Sequence, residues 1–123
     1  MFGVLLVTGK PEAGKVMRQF LRRPGKPTLA QMQEAVGGYI ETGFRMPSKL
    51  RPGVSIDFWV NDEGLGLSDN PVMQYRVGEE VYQLAGSAIV TGVDRQGETI
   101  ELLDEELQQL LDSVKVQHIG WTN

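Results

Sequence analysis

The stretch between Thr28 and Gly64 constrains this chain more than any other, because it strings together local signals that each admit one kind of element. Thr28 with Gln31 three residues on is a capping box, which satisfies two backbone donors that a helix start otherwise leaves unpaired. Leu29, Met32 and Val36 share one helical face, and Gly37 or Gly38 can end the helix by taking a left-handed φ, so a helix is predicted over residues 29–36. Residues 39–46 alternate imperfectly and carry β-favouring side chains, which reads as a strand with a bulge at Gly43. Residues 47–53 form a polar corner ending in the turn pair Pro52-Gly53. Val54, Ile56, Phe58 and Val60 then alternate with Ser55, Asp57 and Trp59, the pattern of a half-buried antiparallel strand. Asn61-Asp62-Glu63-Gly64 reads as a turn whose side chains cap its own backbone.

Ahead of this unit, Val4 to Thr8 is a short β-branched and leucine-rich run between Gly3 and Gly9, predicted to be a buried strand. Gly9, four intervening residues and Gly14-Lys15 have the spacing of a phosphate-binding loop. Val16 stands where the magnesium-ligating hydroxyl would be, and the chain is too short for a nucleotide-hydrolysing domain. A hairpin turned by Pro11 and Gly14 is the expectation, with residues 16–21 as the returning strand. Lys15, Arg18, Arg22, Arg23 and Lys26 make this the most basic part of the chain, suited to an anion or to a charged outer strand that resists edge pairing.

Beyond residue 64, positions 65–71 read as loop and 72–76 as a brief irregular turn. Ser87 to Thr91, between Gly86 and Gly92, is a second strongly strand-like run, expected like the first to lie centrally in the sheet. Asp94 to Gly97 is a hairpin turn with a return strand over residues 98–102. Asp104 is predicted to cap a second helix to about Lys115, with Leu107, Leu110, Leu111 and Val114 on its buried side. The tail, residues 116–123, carries Ile119 and Trp121 and is expected to dock on its own domain or on a partner chain. The sum is one α+β domain over residues 1–123, with a mixed or antiparallel sheet of about six strands and two helices on one face.

Residues Val36-Gly37-Gly38-Tyr39-Ile40-Glu41, Val60-Asn61-Asp62-Glu63-Gly64 and Leu84 to Gly92 together resemble a family of small proteins of phages, plasmids and bacteria known as domain of unknown function 3846. The likeness covers residues 28–111; the first hairpin, residues 1–27, fits loosely, residues 112–123 are a helix end and apolar tail, and the 44–53 corner is longer than the family pattern. The resemblance implies an α+β fold and a phage or mobile-element setting, and implies no activity.

Composition limits the chemistry. A chain of 123 residues without cysteine excludes disulfides, thiolate metal sites and cysteine nucleophiles, and suits a reducing cytoplasm. The net charge of −4 argues against a nucleic-acid coat. Apolar runs are far shorter than the roughly 20 residues of a membrane span, so a cytoplasmic, unexported chain with no membrane partner is the expectation. His118 is the one histidine, without a nucleophile motif around any serine, so no catalytic residue, metal ligand or cofactor is assigned.

The leading expectation is a non-enzymatic binding protein that interferes with a host process, such as defence, by sequestering a small anionic or nucleotide ligand. Arg18, Arg22, Arg23 and Arg45 would hold the anion, with Tyr39, Trp59 and Asn61 completing the site. The alternatives are an inhibitor that meets a host protein through Asp104, Glu105 and Glu106 or through Trp59 and Trp121, and a metal-dependent hydrolase or nucleotide-modifying enzyme using Asp57, Asp62 and Glu63. The apolar tail gives a reason to expect a symmetric dimer.

Overall fold

In the computed structural model, which describes residues 1–123, β1 (Phe2–Lys10) and β2 (Lys15–Arg23) form the expected hairpin. Pro11–Ala13 makes a single 3-10 turn that Gly14 ends at φ 67°, so the phosphate-loop spacing is spent on reversing the chain. Helix α1 (Leu29–Val36) starts at the Thr28–Gln31 capping box and stops at left-handed Gly37, both as predicted. Strands β3 (Ile40–Pro47) and β4 (Ser55–Asn61) pair across the corner, with a register shift at Gly43 where a bulge was expected.

Then come β5 (Pro71–Val77), β6 (Glu80–Ala85), β7 (Ala88–Val93), the two-residue β8 (Thr99–Ile100), α2 (Asp104–Ser113) and β9 (Val114–Trp121). The strands make two antiparallel sheets. The larger has the order β2-β1-β7-β4-β3 with β8 on β7, and the smaller has the order β6-β5-β9. The α+β class and the antiparallel sheet of about six strands are borne out. Strands β1 and β7 both lie inside that sheet, as their apolar runs required, and they pair with each other.

Four expectations need correction. The helices do not share a face. Phe2 and Val4 of β1 pack with Met32 and Val36 of α1, while Leu5 and Val7 turn the other way toward Leu107 and Leu110 of α2. Because β1 is apolar on both sides, the larger sheet is covered on both, by α1 on one face and by α2 with the smaller sheet on the other.

Residues 72–76 are not a turn but the central strand β5, whose inward positions Met73 and Tyr75 alternate with Gln74 and Arg76. The tail docks on its own domain, one of the two outcomes expected, and does so as strand β9, paired along β5. Helix α2 ends at Ser113, and Leu103, not Asp104, holds its N-cap position, because the Glu106 carboxylate accepts the Leu103 N–H at 2.8 Å. No helix is long and apolar enough to cross a membrane.

The main core lies between the sheets. Phe44 stacks on Phe58 at 4.6 Å and Tyr75 tilts against Phe58 at 4.7 Å, with Ile56, Val90, Met73 and Leu107 around them. The corner after β3 is fastened to α2: Gln109 Oε1 accepts the Lys49 N–H at 2.9 Å, and Arg51 reaches the fully buried carboxylate of Glu106 at 2.5 Å.

Candidate ligand-binding cleft

Strand β2 is the edge of the larger sheet, and its inner side is only partly covered, none of its residues being fully buried. Alternation along β2 turns Arg18, Phe20 and Arg22 toward that side, since their partners on β1 are Val7, Leu5 and Gly3. Two arginines strap the seam. Arg18 Nη1 donates to the Val116 carbonyl of β9 at 2.8 Å, and Arg22 donates to Asp104 at 2.8 Å and Gln108 at 3.1 Å on α2.

Around Phe20, between these straps in sequence, opens a cleft of about 290 Å³. Leu5, Phe58 and Tyr75 line it from the sheets, and Leu110, Leu111, Val114 and Val116 from α2 and β9, with Arg18 and Gln19 as its polar residues. Tyr75 is fully buried, yet its hydroxyl has no hydrogen-bond partner. Most buried polar groups in folded proteins are paired, so this enclosed donor stands out as unsatisfied. Burial pushes the Tyr75 phenol well above its ordinary pKa, and the positive charge of Arg18 offsets only part of that rise. The hydroxyl is therefore a neutral donor at physiological pH.

The other residues singled out from the sequence do not converge here. Arg45 lies on the opposite face of the larger sheet, ion-paired at 2.8 Å with buried Asp57, which also accepts from Ser55. Trp59, half-buried on that same face, donates its indole N–H to Thr91 at 2.9 Å. Asn61 closes the end of α1 by donating to the Val36 carbonyl, and accepts the Glu63 N–H in the predicted turn. Arg23 is exposed opposite Phe2, and Tyr39 is exposed beside α1. The arginines and aromatics expected to hold one nucleotide thus divide between two faces of the sheet.

The acidic set divides as well. Asp104 is held by Arg22, Glu106 is buried against Arg51, and Glu105 stays exposed. Trp121 packs edge-on to His118 at 5.0 Å. Asp62 and Glu63 belong to the turn after β4, and no group of three or more His, Asp or Glu residues is placed to hold a metal.

Of the expected ligand residues, only Arg18 lines the cleft. Tyr75 and Phe20 were not expected there. The period-2 pattern of Met73, Tyr75 and Val77 would have placed Tyr75 on an inward strand face, but no sequence signal shows that its hydroxyl lacks a partner.

No curated protein and no solved structure matches the chain. The model of the family described as Domain of unknown function (DUF3846) matches residues 2–115, which takes in the first hairpin as well as the motifs after Thr28. Of the residues that line the cleft, only Val116 of β9 lies past the matched residues. By this match, which takes in both helices and every strand except most of β9, the chain belongs to the DUF3846 family.

Proposed function

We propose that this chain is a binding protein that sequesters a small anionic ligand in the cleft between β2, α2 and β9. The observation that carries the reading is the buried, unpartnered hydroxyl of Tyr75. A buried donor left without a partner costs about 1–3 kcal/mol, and a ligand oxygen that displaces the side chains now closing over the hydroxyl recovers it. Arg18 supplies the positive charge; its present acceptor is one backbone carbonyl at an exposed seam, which water can take over when the guanidinium turns to a ligand.

Binding suits the site better than turnover. The only titratable side chains lining the cleft are a phenol held protonated and an arginine, so it lacks a general base. In the phage or mobile-element setting, holding such a ligand would deprive a host process of it.

Tyr75→Phe separates this reading from a purely structural one. The free variant is expected to be more stable than the parent by about 1 kcal/mol, because an unsatisfied hydroxyl is removed without loss of packing. Affinity for the anion is expected to fall by roughly tenfold. Urea denaturation gives the first number. Titration of the full chain with a panel of small organic anions and nucleotides, followed by amide chemical shifts of residues lining the cleft, gives the second. Silence at Arg18, Tyr75 and Val116 across the whole panel would remove the proposal.

A further inference from the structure

We infer that the ligand of this cleft is a monocarboxylate with an apolar body, about a dozen non-hydrogen atoms in all. The inference rests on the cleft being the binding site, and it follows from size, wall chemistry and charge together.

Size argues against burying a whole nucleotide. A cavity of roughly 150 Å³ holds a benzene ring, so about 290 Å³ takes one ring with a short chain, or a medium-length alkyl chain. The walls exclude sugars and other hydroxylated bodies. Phe20, Phe58, Leu110, Leu111 and Val114 offer no hydrogen bonds, and each hydroxyl buried against them would lose its water without a replacement.

The polar groups set the head. Arg18 is the one charged residue in the lining, and Tyr75 adds one neutral donor. A carboxylate carries one charge on two oxygens, which a guanidinium and a hydroxyl can serve together. A phosphate monoester brings nearly two charges and three acceptor oxygens, more than this pair neutralises. An uncharged head would exchange the present bond from Arg18 to Val116 for a weaker return.

The test is calorimetry of the full chain with 4-phenylbutyrate and octanoate, each paired with its primary amide, alongside adenosine monophosphate and inorganic phosphate. Amide chemical shifts report where each probe sits. The expected result is saturable, one-to-one binding of the carboxylates at the cleft, with their amides weaker by roughly tenfold or more. Arg18→Gln is expected to abolish that carboxylate preference while leaving residual binding of the apolar body. Amides that bind the cleft as well as the carboxylates do would overturn the carboxylate assignment while leaving the cleft as the site. Adenosine monophosphate or phosphate binding there more tightly than the carboxylates would overturn it in the same way. Carboxylates that shift no residue of the cleft, while another panel member does, would sink the ligand class alone; silence from every probe would take the cleft reading down as well.

Discussion

Phe58→Ala is expected to lower the free energy of unfolding by about 4 kcal/mol, the usual size for emptying a buried phenylalanine site. Phe58 is 2% exposed at the middle of β4, with one ring face stacked on Phe44 and Tyr75 tilted against it. Phe44 is stacked in turn on Tyr82, so the deletion removes the centre of an aromatic row that joins the two sheets. Truncation would also open the floor of the cleft, since Phe58 lines it. The rest of the row is held by backbone pairing in two sheets and cannot close over the gap, which places the cost in the upper part of the range. Against a typical total of about 5–15 kcal/mol, the loss is a large fraction. Urea unfolding should show the midpoint falling with little change in slope. A loss below about 2 kcal/mol would mean that the sheets move together to fill the space.

Arg51→Met is expected to cost about 3 kcal/mol, through what it leaves behind. Glu106 is fully buried in the first turn of α2, and Arg51, at its 2.5 Å, is its only ion-pair partner. Burial by itself would raise the Glu106 pKa, but hydrogen bonds from Arg51, Ser48 and the Leu103 N–H outweigh it and hold the carboxyl below its ordinary value of 4.5. The parent therefore draws stability from this carboxylate in full above about pH 4.5 and loses it as pH falls through the lower folded value.

In Arg51→Met the balance reverses, because burial then dominates and the folded pKa rises above the unfolded one. Lowering the pH from neutral should accordingly stabilise the variant while the parent is still unaffected. Replacing both partners, as in Arg51→Met with Glu106→Gln, is expected to recover much of the loss, since the glutamine carbonyl can still accept from Leu103. Paired denaturation curves at neutral and mildly acidic pH check both signs. A variant whose stability falls with pH in parallel with the parent would refute the role given to Arg51.

Legibility followed sequence distance. Thr28 with Gln31, the stop at Gly37, the reversal at Gly14 and the bulge at Gly43 are decisions made within a few residues, and the chain states them openly. Partners far apart in the chain were not visible. Nothing near Arg51 points to Glu106, and nothing near Arg18 points to Val116. Strand β5 was missed because Asn70-Pro71 is a turn signal by composition, and Gln74 and Arg76 dilute its apolar alternation. Pairing on both sides, with β6 and β9, overrides that local reading. The helices were placed together because each has one apolar stripe; that β1 is apolar on both faces was the signal that they would separate. The cleft was the least legible feature, since an unpaired hydroxyl is defined by what three distant elements fail to bring to it.

The position of β7 sets the order of events during folding. The β1–β2 and β3–β4 hairpins are local and can close within microseconds of being free to do so. They share no pairing until β7, wholly buried and remote in sequence from β1, slides between β1 and β4. That insertion is the natural bottleneck, because its loop-closure entropy is lost before its contacts are gained. Until it happens, the inner edges of β1 and β4 are open at once. A chain stalled at that stage, as on a slow ribosome, is the form most exposed to edge-to-edge aggregation.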